Sequence, residues 1–143
     1  VLASRGDSGA DAIVGSSGAV AAVSGSYQVE NGAIDVSITK SAEVITDGQR
    51  CKSAPCEPFP GATLRYTLQV DVSGTGTAED LTITDAIPAN TRYTASSLTL
   101  DTTPLTDTTG DDPGSFSGNV VRVALGDITG AATFVITLDV TIN

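Results

Sequence analysis

A chain of 143 residues, 40% of them hydrophobic, is long enough for one domain with a buried core, or for one domain and an arm. Its net charge of −10 argues against nucleic acid and anionic membrane surfaces as partners, since both attract patches of Lys and Arg. Aromatic residues make up only 4% of the chain and Trp is absent, so the core must consist mainly of Val, Ile, Leu and Ala.

The first 32 residues are rich in Gly, Ser and Ala and do not follow the pattern of the rest of the chain. Within their apolar part, SGAVAAVSGSYQV, the Ala-rich core AVAAV is far shorter than the ~12–15 residues that an isolated helix needs, and glycines flank this core. As a strand it places Ala19, Ala21 and Val23 on one face and Val20 and Ala22 on the other. Small apolar side chains on both faces suit pairing along an open sheet edge, as in donor-strand complementation.

We therefore predict that residues 1–32 form an N-terminal arm whose part at about 12–29 inserts into the neighbouring subunit as a donor strand. The predicted interface residues are Val14, Ala19, Val20, Ala21, Ala22, Val23, Tyr27 and Val29. Two alternatives remain open, namely an arm that folds back on its own domain and a simple linker or tail.

Residues 33–143 alternate apolar and polar side chains, which is typical of half-buried antiparallel strands. The longest such runs are IDVSITK at 34–40, ATLRYTLQVDV at 62–72 and AATFVITLDVTIN at 131–143. Shorter strands are predicted in DLTITD, TRYTA, SSLTLD and NVVRVALG, which turn-forming residues separate. About seven short strands without an amphipathic helix predict an all-β, immunoglobulin-like antiparallel sandwich with an extended N-terminal arm.

Cys51 and Cys56 lie close together in QRCKSAPCEPFPG, and the chain has no His, so a zinc site lacks ligands. A disulfide between them is predicted, as in secreted proteins, with two free thiols as the alternative. Met is absent even at position 1, which predicts that a segment such as a secretory signal peptide has been removed. No run approaches the ~18 apolar residues of a transmembrane helix. The sequence thus predicts an extracellular location without a membrane span.

Three polar residues fall in the inward phases of their strands. Lys40 continues the inward phase of Ile38, and Asp85 and Asn119 occupy inward positions in later strands. A Lys beside a buried acid and an Asn or Asp can form an intramolecular isopeptide crosslink, as in some sandwich domains of cell surfaces. The alternative is a Lys40 that lies at the strand end, extends to solvent and pairs with Asp85.

The segment DTTPLTDTTGDD at 101–112 contains Asp101, Asp107, Asp111 and Asp112. Calcium takes about six to eight oxygen ligands, but the spacing matches no EF-hand, so a solvated acidic loop is favoured over a calcium site. The chain also contains no His, no GxSxG elbow and no glycine-rich loop with GK[ST]. We therefore expect neither enzymatic activity nor a cofactor.

The order of the strand segments resembles the Ig-like repeat domain of large bacterial and archaeal surface proteins, a family catalogued as domain of unknown function eleven. The resemblance covers residues 34–142 and lies in IDVSITK at 34–40, PGATLRYTLQV at 60–70, GTGTAEDLTITDAIPANTRYTASSLTLD at 74–101, VVRVALGDI at 120–128 and ATFVITLDV at 132–140. It implies a secreted, surface-associated structural module, usually repeated in tandem, without catalytic residues. Here a single copy at 33–143 follows an apolar arm, which suggests repetition by assembly.

These observations predict a secreted structural subunit that polymerises head to tail with copies of itself into a pilus-like extracellular filament. Such a filament would serve adhesion or a biofilm matrix, with surface ligands or other filaments as further partners. The alternative is a monomeric cell-surface adhesin or coat-type binding module, whose loops, including 101–118, recognise a surface ligand. The two hypotheses differ in whether the arm is required for assembly.

Overall fold

The computed structural model describes residues 21–26, 33–47 and 58–143. They form ten antiparallel strands in two sheets: β1 (Ala21–Ser26), β2 (Ile34–Thr46), β3 (Thr63–Gly74), β4 (Thr77–Ala86), β5 (Thr91–Tyr93), β6 (Thr99–Leu100), β7 (Thr103–Pro104), β8 (Gly114–Ser117), β9 (Val120–Thr129) and β10 (Ala132–Ile142). The predicted all-β antiparallel architecture is confirmed, while its immunoglobulin-like character stays a prediction. Within the described ranges, no helix is long and apolar enough to cross a membrane.

The strand order is β1-β4-β9-β8 in the first sheet and β2-β3-β10-β6-β7 in the second, where β5 also pairs with β10. All seven segments in which the sequence predicts a strand contain one. The sequence predicts neither the two-residue strand β7 nor β8, the strand in the Gly- and Ser-rich stretch before Val120. The strand β8 forms because Gly118 and Asn119, with φ angles of 57° and 65°, make a tight turn that folds it back on β9.

The core lies between the two sheets and follows from the alternation along each strand. The largest fully buried side chains are Leu68, Leu81, Ile83, Leu98, Ile136, Leu138, Val70, Val123 and Val140. Each of them stabilises the fold by roughly 1.5–3 kcal/mol through removal of apolar surface from water. Aliphatic side chains therefore dominate the core, as the low aromatic content predicts.

A β-bulge in β4 determines which residues of this strand face the core. The register with β9 shifts between Ala78 and Leu81, and Asp80 adopts a positive φ of 49°. The Asp80 backbone N–H donates to Asp127 Oδ1 at 2.8 Å, which secures the irregular segment. A bulge inserts one extra residue into a strand. The side chain that faces the core is therefore Ala78 before the bulge, and Leu81, Ile83 and Asp85 face the core after it.

Candidate functional site

The strand β1 occupies the edge of the first sheet, where it pairs with β4 of the same chain. Ala21 lies opposite Asp85, Val23 opposite Ile83 and Ser26 opposite Glu79, with an irregularity between Ser24 and Ser26. A six-residue strand of the arm therefore completes the sheet next to β4. This arrangement of a single chain has the form of the alternative in which the arm folds back on its own domain.

Three of the predicted donor-strand residues, Ala21, Ala22 and Val23, lie in β1. The other five lie outside the described residues: Val14, Ala19, Val20, Tyr27 and Val29. The sequence did not indicate which sheet edge receives the arm. That edge is β4, and its selection depends on contacts between residues roughly 60 positions apart, which no local pattern encodes.

Without β1, β4 would be an edge strand of ten residues with a row of unpaired backbone groups. On its other side β4 pairs with β9 along nearly its whole length. Its inward side chains, including Leu81, Ile83 and Asp85, are buried in the core. The β4 edge is thus a preformed strand template that accepts one further antiparallel strand.

A buried ion pair joins the two sheets directly beside this edge. Lys40 Nζ lies 2.7 Å from Asp85 Oδ1 and 2.6 Å from Asp85 Oδ2. The exposed fractions of the two side chains are 3% and 2%. Lys40 stands on β2, the edge strand of the second sheet, and Asp85 on β4 of the first. The two predicted inward residues are therefore in contact, and Lys40 does not extend to solvent.

Tyr66 forms one side of the Lys40 environment. Lys40 is opposite Leu68 in the β2–β3 ladder, which makes Tyr66 its diagonal neighbour on the same face. Lys40 Nζ lies 4.3 Å from the centroid of the Tyr66 ring, a cation–π contact. Sequence reasoning missed Tyr66, although its inward position in β3 follows from the same alternation that identified Lys40.

Burial shifts the protonation of both acidic groups near Lys40. It raises the pKa of the Asp85 carboxyl, and the hydrogen bond from Lys40 opposes that rise. It also raises the pKa of the Tyr66 phenol, with a smaller contribution from the negative charge of Asp85. Burial therefore favours the neutral form of Asp85, whereas Lys40 favours its charged form.

Asn119 lies apart from this pair. It occupies the β8–β9 turn and is exposed, and its Nδ2 donates to the Ile87 carbonyl oxygen at 3.0 Å. The Ile87 N–H in turn donates to the Asn119 carbonyl oxygen at 3.0 Å. The inward phase that the sequence assigned to Asn119 does not hold, because the strand begins only at Val120 and Asn119 belongs to the turn.

The four aspartates of the 101–112 segment bind donors of the protein itself. Asp107 accepts from the Tyr93 hydroxyl at 2.7 Å and the Ser96 N–H at 2.8 Å. Asp112 accepts from the Thr106 N–H at 2.6 Å. Asp111 accepts a hydrogen bond from the Thr106 hydroxyl, and Asp101 accepts one from the Val135 N–H.

These hydrogen bonds hold the segment to itself through Thr106 and to neighbouring residues through Tyr93, Ser96 and Val135. In the part of the chain that the structure describes, no group of three or more His, Cys, Asp or Glu residues is placed to hold a metal ion. The structure thus does not bring the four aspartates of the weak calcium candidate together. The predicted Cys51–Cys56 disulfide lies outside the described residues.

Comparisons with protein families, with curated proteins and with solved structures found no match to this chain. The resemblance to the surface-protein repeat domain therefore stays a prediction from the sequence.

Proposed function

We propose that this chain is a secreted structural subunit of a pilus-like extracellular filament, in which the arm of one subunit pairs with β4 of the next. The observation that supports the proposal is the antiparallel pairing of Ala21–Ser26 with β4 at the edge of the first sheet. It identifies a strand-accepting edge and an arm segment whose backbone is complementary to it.

The same ladder can form within one chain or between two chains. Only residues 27–33 join β1 to β2, which belongs to the opposite sheet. An element that pairs with its own domain can pair identically with that of a neighbour, which is the relation known as domain swapping. The pairing of β1 with β4 in one chain is then the closed counterpart of the pairing in the filament.

Each subunit would give one arm and receive one, so every contact is head to tail. Heterologous contacts of this kind produce open filaments unless the rotation between subunits closes a ring. The donated strand would also cover the β4 edge, which otherwise invites unspecific pairing. Because a donor strand must leave as a whole, the filament would be kinetically stable.

Several further properties belong to this proposal. The function is mechanical, without turnover or cofactor, and the partners are other copies of the chain. The location is extracellular, on the cell surface or in a biofilm matrix, where a Cys51–Cys56 disulfide is stable. Adhesion to surface ligands or to other filaments would be a secondary role of the exposed loops.

The pairing of β1 with β4 within one chain also favours a second candidate, a monomeric cell-surface adhesin. In that case the arm completes its own sheet and the domain needs no neighbour. Ligand recognition would then fall to loops such as 101–118, where the backbone N–H groups of Thr106 and Gly114 both donate to Asp112.

Negative-stain electron microscopy of the full chain beside a variant lacking residues 1–32 tests the proposal. We expect filaments from the full chain and none from the truncated variant. Adding a synthetic peptide of residues 12–29 to the truncated variant should occupy the edge and yield discrete particles. Discrete particles from the full chain under all conditions would refute the filament and favour the adhesin.

A further inference from the structure

We propose that Lys40 and Asp85 form an intramolecular isopeptide bond that joins β2 to β4 covalently. Lys40 Nζ lies 2.7 and 2.6 Å from the two carboxylate oxygens of Asp85, so it stands directly opposite the Asp85 carboxyl carbon. Both side chains are almost completely buried between the sheets. This inference concerns the folded domain alone and does not depend on the filament.

The reaction balances without any further reagent. Lys40 transfers one proton to the Asp85 carboxylate, which gives a neutral amine and a carboxylic acid. The amine lone pair attacks the carboxyl carbon Cγ and forms the C–N bond. One carboxyl oxygen then leaves with two protons as water, and the new amide nitrogen keeps one proton. No oxidant, reductant or cofactor takes part.

Burial favours the protonated Asp85 carboxyl, the form whose carbon the amine attacks. Two charges away from water carry a large desolvation cost, and their mutual attraction offsets it only in part. Burial also raises the pKa of the Asp85 carboxyl and thereby favours the protonated acid. Asp85 is the only buried acid among the described residues, so the proton passes directly between the two partners.

The fold holds the reacting groups together before the reaction. Lys40 is fixed in the β2–β3 ladder and Asp85 between β1 and β9, so neither backbone has to move. Groups held in this way react at effective concentrations of about 10⁵–10⁸ M, which favours condensation over hydrolysis. Because Nζ is nearly equidistant from the two carboxylate oxygens, it lies close to the plane of the Asp85 carboxyl. Attack on Cγ therefore requires a shift of the Lys40 side chain that carries the amine over the face of the carboxyl group.

The contact with Tyr66 has a positioning role. The ring lies 4.3 Å from Lys40 Nζ and limits the directions in which the amine can move. Tyr66 is itself buried and belongs to the core cluster. The amine is therefore confined between an aromatic ring and the carboxyl group that it attacks.

The bond would tie the strand that receives the arm to the opposite sheet. Asp85 is the register partner of Ala21, so the crosslink lies beside the first described residue of β1. Its other end is on β2, the strand that follows the arm in sequence. A covalent connection at this place would keep β4 on the sandwich when the neighbouring β1 is pulled.

Intact mass spectrometry of the recombinant folded chain tests the inference after reduction, so that a disulfide does not contribute. We expect a mass one water below that of the sequence. Protein kept unfolded in denaturant from the moment of synthesis should have the full mass and lose one water on refolding. A folded wild-type chain with the full sequence mass would overturn the inference.

Trypsin digestion locates the bond, because an acylated Lys40 is no longer cleaved. We expect a branched product in which residues 6–50 are linked to residues 66–92. A linear peptide 6–40 as the main product of the folded chain would contradict the bond.

Three variants serve as controls. Lys40→Arg keeps the charge but lacks the amine, so it should show the full mass. Asp85→Asn should lose one ammonia in place of water if the amide carbon is attacked. Arg65→Lys places an amine beside Asp139, whose side chain is 13% exposed and thus less buried than that of Asp85, and should still lose only the one water of the buried pair. Loss of a second water in that variant would show that proximity alone suffices.

Discussion

Ala21 of β1 lies opposite Asp85 of β4, and the side chain of Asp85 reaches Lys40 on the other sheet. One residue of β4 therefore belongs both to the ladder that receives the arm and to the contact that holds the two sheets together. The strand-accepting edge and the buried pair are parts of one structural unit. A subunit that transmits force along a filament needs such a connection between its acceptor strand and the rest of the domain.

The register of β1 on β4 predicts a specific crosslink between subunits. We expect subunits with Ala22→Cys, mixed with subunits carrying Thr84→Cys, to form disulfide-linked pairs on oxidation. The reason is that the two positions are register partners, and Cβ atoms of directly opposite residues lie about 4.5–5.5 Å apart. A non-reducing gel measures the linked product.

The matched control replaces Thr84→Cys with Ser117→Cys, an exposed position on β8 at the opposite edge of the same sheet. This pair should remain unlinked. If the Ala22 and Thr84 variants link only when both substitutions are in one chain, the arm stays on its own domain and the filament proposal fails.

Removal of one partner of the buried pair should destabilise the fold strongly. Lys40→Met leaves the Asp85 carboxyl buried without its partner and also removes the amide proposed above, so we expect a loss of at least about 3–5 kcal/mol in the free energy of unfolding. The double variant Lys40→Met/Asp85→Leu should be more stable than either single variant, since no charge is left unpaired. Urea denaturation gives the free energy of unfolding of the single and double variants. A double variant that is less stable than both single variants would contradict this account.

The pair of Arg65 and Asp139, in which Arg65 is exposed and the Asp139 side chain is 13% exposed, should contribute less. Arg65 Nε and Nη2 bind the two carboxylate oxygens of Asp139 at 2.8 and 2.9 Å, but 47% of the Arg65 side chain is exposed. Water and salt screen such a pair, so Arg65→Ala should cost less than about 1 kcal/mol in the same urea experiment. A cost similar to that of Lys40→Met would show that burial does not determine the difference.

Tyr93 should make the stability of the domain depend on pH at the alkaline end. Burial, with a further contribution from the hydrogen bond to Asp107, raises the pKa of Tyr93 from its ordinary value of 10.0 to about 12. The unfolded chain therefore loses this proton first. The stabilisation is complete below pH 10 and disappears as the pH rises toward 12.

Over this window the free energy of unfolding should fall by roughly 2–3 kcal/mol more in the wild type than in Tyr93→Phe. Urea denaturation at closely spaced pH values measures the difference between the two proteins, which cancels the titration of other groups. Parallel curves for the two proteins across this window would contradict the assignment.

The alternation along the chain was sufficient to predict much of the fold. It predicted β3 and β10 with nearly their observed bounds, whereas for β2 it predicted only 34–40 of a strand that continues to Thr46. It also identified Lys40 and Asp85 as inward residues. It failed where turns override alternation. Asn119 has the parity of the buried Val121 and Val123 but lies in a turn with a positive φ. The 101–118 segment is rich in Asp, Thr and Gly and shows no alternation, so the pattern indicated neither β8 nor the hydrogen bond from the Tyr93 hydroxyl to Asp107.

The sequence by itself determined that the chain is all-β, has an aliphatic core and places a Lys and an Asp on inward faces. These properties follow from a side-chain period of two, which is local and therefore readable along the chain. Only the tertiary structure decided that Lys40 meets Asp85 across the sheets, and that β1 pairs with β4. Both depend on register between strands that are far apart in sequence, which no local pattern encodes.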